Sequence, residues 1–385
     1  MTTCPTAPSG PTSAPTWFSQ AADLQWVTPL SNWLGDPAVL DPLANTINAG
    51  DGPQNILYAY SGMALDAQSG EIRLLANGGH SNYFGNEVYR VSLMQQSPAW
   101  VRLRDATPFS GVSALGMLAD GRPTAGHTYS SSFGGNGRFI AFGRFGYDPA
   151  GDSKSNIVIE FVAKNPTQHD NLNNDWVNRT STFNISGSPY PGNQSVFYDS
   201  QLNRIILVVG GNSQPGILVY DASSLGLVSS NNTTLNDGGN DLCGAVDTVN
   251  RILLIHGNSG YWWIPLSKLA GGAWTNISAG GDIPDNHGFT FHAASNAFVT
   301  DYPGRGLLKL KPTVSSGGYS TLGSWTAVAG VSGPTPQPYF NGSGEGLNNK
   351  CQVIDNMGDG RAALVYLPAW IKPDLYVMPL RASGI

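Results

Sequence analysis

Charged side chains are scarce in this sequence. Only 12% of its 385 residues are Asp, Glu, Lys or Arg, about half of the roughly 25% that average soluble proteins contain. Acidic residues outnumber basic residues by 26 to 20, and no basic stripe interleaved with aromatic residues occurs. Because nucleic-acid binding depends on cations that neutralise phosphates, we expect no nucleic-acid partner.

Long apolar runs are also missing. No run approaches the roughly 18 residues that cross a bilayer as a helix. The N-terminal residues 1–15 are rich in Thr, Ser and Pro and have neither the positive segment nor the apolar core of a secretion signal. We therefore expect no membrane span and no signal peptide in this sequence.

Cysteine is equally rare. The sequence contains three, Cys4, Cys243 and Cys351, an odd number without a CxxC pair. This pattern indicates no disulfide framework. Since Cys243 and Cys351 lie in apolar, strand-like segments, we expect them to be buried free thiols.

Glycine, proline and aromatic residues are abundant instead. With 48 Gly and 26 Pro in the chain, long helices are disfavoured, because an interior Gly costs about 1 kcal/mol and an interior Pro about 3 kcal/mol. A disordered chain is also disfavoured, because 41% of the residues are hydrophobic and 10% are aromatic, which is enough apolar surface to form a core. The composition therefore predicts an all-β chain with many turns.

An internal repeat organises these turns. Each copy has a short strand, a turn with Asp and Asn or Gly, and a second strand of four or five apolar residues that often ends at Gly-Gly. Asp199–Arg204 and Asp247–Arg251 show the turn most clearly. A third strand follows each hairpin, and in most copies a fourth strand begins with Trp. The hairpins lie at 60–80, 126–144, 192–212, 240–258, 286–306 and 348–368.

Six four-stranded antiparallel units of this kind predict one β-propeller over residues 17–385, preceded by a flexible arm at 1–16. The last unit has no fourth strand of its own, and the strand at 25–30 is expected to complete it, which closes a ring without exposing an edge. Residues 30–55 match no unit and the last two units lack Gly-Gly, so seven blades remain an alternative. The predicted blades cover about 56–103, 126–180, 192–234, 240–278, 286–329 and 346–381.

The blade formula resembles that of kelch or galactose-oxidase-type propellers, in its apolar strand ending at Gly-Gly and its Trp-headed outer strand. Segment 77–93 (NGGHSNYFGNEVYRVSL) and segment 122–129 (RPTAGHTY) are similar to propellers encoded by tailed bacteriophages and their bacterial hosts. The three cysteines lack the context of a copper-radical oxidase, and no cofactor is expected. Propellers serve enzymes, receptors and scaffolds alike, so the resemblance implies the fold more than a function.

Strand order places one set of loops on a single face of the propeller. Residues that precede the first strands, and residues that follow the second strands, should surround one mouth of the central channel. They could cap strand ends, or they could form a polar cup for a glycan. Three of them are histidines without close metal-ligand spacing, so no metal is expected. The candidate ligand-binding residues are His80, Asn82, Tyr83, His127, Arg144, Tyr147, Asn193, Asn212, Asn240, Asn258, His287 and Asn348.

Two functions follow from these observations. The first is a non-enzymatic structural or binding propeller of a bacteriophage virion, in a tail or tail tip. Its partners would be other virion proteins or host-surface glycan, and the assembly would set its oligomeric state.

The second function is that of an extracellular lyase for uronate polysaccharides. His and Tyr suit its proton transfers and Arg suits the substrate carboxylate, as in some propeller lyases. Its catalytic residues would be His80, Tyr83, His127 and Arg144.

Overall fold

The protein is built almost entirely of β-strands. The computed structural model describes residues 13–44, 52–57, 61–77, 83–108, 117–145, 155–183, 194–209, 216–235, 242–257, 259–281, 283, 287–302, 304–315, 317–336, 349–368 and 372–385. Helices α1 (Thr16–Ser19) and α2 (Thr180–Phe183) are single turns, and 3-10 turns occur at Pro53–Ile56, Leu266–Lys268 and Ala293–Ser295. No helix in this described part is long and apolar enough to cross a membrane.

The strands form six sheets that follow one another along the chain. Each sheet is antiparallel, and its strands are in sequence order from the innermost to the outermost. The fifth sheet is β17-β18-β19-β22, and the separate hairpin β20-β21 is inserted before its outer strand. The predicted propeller of six four-stranded blades is therefore confirmed. The strands are β1 (Ala64–Asp66), β2 (Glu71–Leu75), β3 (Val88–Ser92) and β4 (Val101–Arg104) in blade 1; β5 (Ser132–Gly135), β6 (Arg138–Phe145), β7 (Ser155–Ala163) and β8 (Asn174–Asn178) in blade 2; β9 (Gln194–Asp199), β10 (Arg204–Val209), β11 (Ile217–Asp221) and β12 (Leu227–Asn231) in blade 3; β13 (Cys243–Asp247), β14 (Ile252–Gly257), β15 (Gly260–Pro265) and β16 (Thr275–Ile277) in blade 4; β17 (Thr290–His292), β18 (Ala297–Tyr302), β19 (Gly306–Leu310), β20 (Thr313–Ser315), β21 (Gly318–Thr321) and β22 (Thr326–Ala327) in blade 5; and β23 (Cys351–Ile354), β24 (Ala362–Tyr366) and β25 (Tyr376–Leu380) in blade 6.

The N-terminal segment closes the ring. Blade 6 has three strands of its own, and Val27 pairs antiparallel with Val377 on its outer edge. The two residues exchange backbone hydrogen bonds of 2.8 and 2.9 Å. Trp26 is buried against Tyr366 and Tyr376, with ring centroids 6.0 and 6.3 Å apart. The first and last parts of the chain thus share one sheet, as the sequence predicts.

The segment between the closing strand and blade 1 forms no seventh blade. Its described residues, 31–44 and 52–57, contain no strand. They pack over blades 6 and 1 instead, where the backbone N–H of Leu34 donates to Asp374 Oδ2 over 2.7 Å. Asn32 exchanges hydrogen bonds of 2.8 and 3.0 Å with the backbone of Trp100. The alternative of seven blades is therefore not supported.

The core lies between the blades, because both faces of each sheet are covered. Strand β10 shows the rule, since its alternate residues point to opposite faces. Ile205 and Leu207 pack toward blade 2, whereas Ile206 and Val208 pack toward blade 4. A strand buried on both faces reads as a continuous apolar run, which explains the repeated runs in the sequence.

The hairpin turns between first and second strands carry the repeated Asp. Asp247 Oδ1 accepts from the backbone N–H groups of Val249 and Asn250 over 3.0 and 2.7 Å. The residue before the second strand has a positive φ, 60° at Arg251 and 53° at Asn203. The Asp side chain satisfies backbone donors that the tight turn leaves open, so the two predicted turns are confirmed.

Candidate functional site

Most residues of the predicted polar ring lie outside the described part of the chain. Arg144 lies near the end of β6, and its side chain also lies outside that part. Tyr83, His127 and His287 are described, and each is buried. The predicted residues outside the described part are His80, Asn82, Tyr147, Asn193, Asn212, Asn240, Asn258 and Asn348.

Tyr83 belongs to a buried cluster in blade 1. Its hydroxyl donates to Glu87 Oε1, and the hydroxyl of Tyr89 lies 3.5 Å from the same oxygen. Burial raises the pKa of Glu87 to about 7, and burial beside Glu87 raises the pKa of Tyr83 well above its ordinary value. Tyr83 is thus a neutral hydrogen-bond donor with no exposed surface.

A glycine leaves the room that this cluster needs. A Cβ at Gly85 would lie 2.2 Å from Glu87 Oε2 and 2.4 Å from the hydroxyl of Tyr83. Glu87 Oε2 is buried and has no hydrogen-bond partner. An unpaired buried oxygen is costly when ionised, which favours the protonated acid.

His127 lies in a polar frame that joins blade 1 to the first strand of blade 2. Its ring meets Tyr129 edge-on at 5.2 Å. The neighbouring Thr128 Oγ1 donates to Asn77 Oδ1 over 2.8 Å, and Asn77 Nδ2 donates to the carbonyl of Gly62 over 2.9 Å. Thr128 and Asn77 thus satisfy the buried backbone groups of Gly62, just before the first strand of blade 1.

His287 is fixed inside blade 5. Its Nε2 lies 2.9 Å from the carbonyl oxygen of Asp301. Because a carbonyl only accepts, Nε2 carries the proton and donates. Burial lowers the pKa of His287 to about 4, so the ring is neutral near pH 7.

At the seam of blades 5 and 6, Cys351 lies with two buried residues that the sequence did not single out, Asp301 and Tyr366. Burial raises the pKa of Asp301 to about 7 and that of Cys351 to about 12. The hydroxyl of Tyr366 is buried without a hydrogen-bond partner, and charge on Asp301 helps to raise its pKa. Cys351 is buried and forms no disulfide, so the predicted buried free thiol is confirmed for it.

Several arginines are tied to carboxylates at the seams between blades. Glu71 Oε1 accepts from Arg73 Nε over 2.7 Å, and its Oε2 forms an ion pair with Arg90 at 2.8 Å. Arg73 also lies 4.0 Å over the ring of Phe139 in the next blade. Glu160 likewise binds Arg138 and Arg179. These cations stabilise the frame, and their carboxylate partners already occupy them.

The described residues enclose a cavity along the central channel. It has a volume of about 520 Å³ and is lined by the first strands of all six blades. Amide, hydroxyl and aromatic side chains dominate the wall, and Asp355 is its one charged residue. The channel reaches the face made by the turns between first and second strands, opposite the face of the predicted polar ring. The residues at that mouth include Gln68, Ser200, Gln201, Thr248, Asp355 and Asn356.

Two side chains brace the other end of the channel. Asn349 Nδ2 lies 3.4 Å from the carbonyl oxygen of Met63 in blade 1 and 3.2 Å from that of Ser132 in blade 2. Gln352 Nε2 donates to the same Met63 oxygen over 2.9 Å. The start of blade 6 is thus connected to the inner strands of blades 1 and 2. Ser132 Oγ faces the channel wall, is buried and has no hydrogen-bond partner.

Asp355 departs from the repeat in a way that leaves it exposed. The corresponding turn residues Asp66, Asp199 and Asp247 are buried. The turn of blade 6 is longer, and Asn356 Oδ1 caps it by accepting from Gly358 and Gly360 over 2.8 and 3.3 Å. Asp355 is exposed at the mouth instead. The surrounding channel wall raises its pKa by limiting hydration.

The mouth residues could have been found in the sequence from the repeat itself. Gln68 and Gln201 stand two residues after the aligned turn residues Asp66 and Asp199. Within the described ranges, no group of three or more His, Cys, Asp or Glu side chains is arranged to hold a metal ion.

Comparison with known proteins gives no family. No protein-family model and no curated protein matches the chain. Among solved structures, YjhT is 12% identical with a TM-score of 0.41, covering 67% of this chain and 74% of its own. A gluconolactonase from Xanthomonas campestris is 13% identical with a TM-score of 0.40, covering 98% of this chain and 100% of its own. The propeller domain of Cps50 (Swd1) from Myceliophteria thermophila is 11% identical with a TM-score of 0.38, covering 84% and 97%. At these values the likenesses carry no argument about function.

Proposed function

We propose that this protein is a non-enzymatic structural and binding propeller of a bacteriophage virion. It would lie in the tail or tail tip and contact neighbouring subunits or host-surface glycan. The observation that carries the proposal is the condition of Tyr83, His127 and His287, which are buried and engaged within the frame. Tyr83 and His287 bond to groups of their own blades and His127 packs against Tyr129, so the three side chains have structural partners inside the protein.

The same observation weighs against the uronate lyase. A lyase base must reach the proton beside the substrate carboxylate, within hydrogen-bond distance. Tyr83 has no exposed surface and donates to Glu87, and His127 is 5% exposed. A polysaccharide cannot contact either side chain without displacing the frame.

Composition and closure support a place in an assembly. The chain is low in charge and rich in Gly, and segment 77–93 is similar to propellers of tailed phages and their hosts. The ring is closed by Trp26 and Val27 on blade 6, so it exposes few free strand edges. A closed, rigid disc with short polar loops suits lasting contacts with other subunits.

The decisive experiment is quantitative mass spectrometry of purified virions. A fixed copy number per particle, resistant to washing in high salt, is the expected result. Finding the protein only as a free secreted monomer would overturn the virion assignment.

Incubation with a panel of uronate polysaccharides tests the other function. An unsaturated product that the wild type forms and that His80→Ala does not form would establish the lyase instead.

A further inference from the structure

The mouth of the central channel combines groups that recognise sugars. Gln68, Gln201 and Asn356 offer amides, Ser200 and Thr248 offer hydroxyls, and Asp355 offers a carboxylate. Sugar hydroxyls both donate and accept, so amides and a carboxylate at one opening match them well. The volume of about 520 Å³ falls within the roughly 300–1,000 Å³ of small-molecule sites.

The mouth also holds its polar groups in place. Gln201 Nε2 donates to the carbonyl of Thr248 over 2.8 Å, which fixes this side chain across the seam of blades 3 and 4. Tyr198, half-buried in the wall, donates from its hydroxyl to Asn203 Oδ1 over 2.8 Å. Its ring packs edge-on against Phe133 at 5.4 Å. Groups fixed before binding lose less entropy when a ligand arrives.

Apolar side chains stand beside these polar groups. Leu202 and Val249 follow the mouth residues in their turns and are 59% and 52% exposed. The faces of pyranose rings are apolar, and exposed aliphatic or aromatic side chains beside hydrogen-bonding groups suit them. These two exposed apolar residues directly follow Gln201 and Thr248 of the channel lining in the turns of adjacent blades.

Charge selects among the possible ligands. Asp355 is the one charged side chain of the described lining, and no cation accompanies it. An anionic ligand would meet a carboxylate with no cation of the lining beside it, and like charges repel. Uronates, phosphates and sialic acids are therefore disfavoured, whereas a neutral sugar can donate hydroxyl hydrogens to Asp355.

We propose that the mouth formed by Gln68, Tyr198, Gln201, Asp355 and Asn356 binds the end of a neutral oligosaccharide. This inference rests on the proposed binding function, and it locates the site on the face opposite to the predicted polar ring. Asp355 accepts from sugar hydroxyls, the amides of Gln201 and Asn356 complete the hydrogen bonds, and Tyr198 provides the wall.

Binding of the full-length protein to neutral and acidic oligosaccharides tests the site. The probes are neutral hexose and N-acetylhexosamine oligomers and their uronate-containing counterparts, titrated by calorimetry after a glycan-array screen. We expect a neutral oligosaccharide to bind, and we expect Ser200→Trp and Asp355→Ala each to weaken its binding at least tenfold. Ser200 and Asp355 are exposed at the mouth, so neither change disturbs the core.

Ser97→Trp is the matched control, because Ser97 is exposed on the loop between β3 and β4, away from the channel. Its affinity should equal that of the wild type. Unchanged binding in Ser200→Trp and Asp355→Ala, or a preference for acidic oligosaccharides, overturns the channel assignment. A protein that binds no neutral oligosaccharide but has a fixed copy number in virions contradicts this inference and leaves the proposed function standing. A protein that neither binds one nor occurs in virions contradicts both.

Discussion

The acid of Glu87 should make the stability of this protein depend on pH. The side chain is buried between Tyr83 and Tyr89, and its Oε2 has no hydrogen-bond partner. Asp41 is the other carboxylate close enough to oppose its ionisation, and burial is the larger cause of its raised pKa. Glu87→Gln keeps the shape of the side chain and an oxygen for the Tyr83 hydroxyl, but it removes the titrating group.

The size of the effect follows from the pKa of Glu87, which rises from an ordinary 4.5 to about 7 in the folded protein. Such a shift corresponds to about 3 kcal/mol between the two protonation states. Below pH 4.5 both folded and unfolded chains hold the proton, and the stabilising contribution is fully present. As the pH rises to 7, the unfolded chain ionises first, so this contribution is lost. Above pH 7 it stays constant.

Urea denaturation, followed by tryptophan fluorescence at several pH values between 4.5 and 8, measures the free energy of unfolding and so tests the prediction. The free energy of unfolding of Glu87→Gln minus that of the wild type should increase by up to about 3 kcal/mol across this range. Taking this difference cancels the contributions of the other titrating groups to the pH dependence, including those of Asp301 and Asp374. Tyr83→Phe, which removes the hydroxyl that donates to Glu87, should enlarge the pH dependence of the wild type. A difference that stays constant from pH 4.5 to 8 would refute the assignment of a raised pKa to Glu87.

Two further substitutions test the packing of the closing seam and of the cluster around Tyr83 and Glu87. Trp26→Ala should lower the free energy of unfolding by about 3–5 kcal/mol, because the indole is buried against blade 6 and fills the closing seam. The control is Leu172→Ala, at a side chain that is 92% exposed, and it should change the free energy of unfolding by less than about 0.5 kcal/mol. Equal effects of the two substitutions would contradict closure of the ring by Trp26. Gly85→Ala should cost about 1–3 kcal/mol in thermal or urea denaturation, since its Cβ would overlap Glu87 and Tyr83. Gly271→Ala is its control, because no atom lies within 4 Å of a Cβ there, and a Gly85→Ala protein as stable as this control would show that the cluster has room to move.

Local sequence was sufficient to predict the blades. A turn with Asp and a positive φ, as at Asp247 and Arg251, is specified by side chains within a few residues. The apolar runs of the second strands, such as Ile205–Val209, reflect burial on both faces. These signals repeat six times, so errors in one copy did not obscure the architecture. The resemblance to kelch-type and phage propellers, by contrast, stays a prediction.

The polar residues were harder to interpret, because their burial is decided by tertiary packing. Tyr83, His127 and His287 were predicted at a channel mouth on the basis of strand order, and the structure buries all three. Glu87 reads as an ordinary polar residue before a strand, and its pKa near 7 depends on Tyr83, Tyr89 and burial. No pattern within the segment shows that burial.

The sequence by itself determined the fold class, the number of repeats, the turn residues and the strand that closes the ring, because hydrogen-bonded turns and continuous apolar runs are local features of the chain. Only the tertiary structure decided which polar groups are buried with partners inside the protein and which face the channel. Asp199 and Asp355 occupy the same place in the repeat, yet one is buried beside Arg251 and the other is exposed at the mouth. The difference arises from the length of one turn and from the neighbouring blade, and a side chain's solvation depends on such neighbours rather than on its place in the sequence.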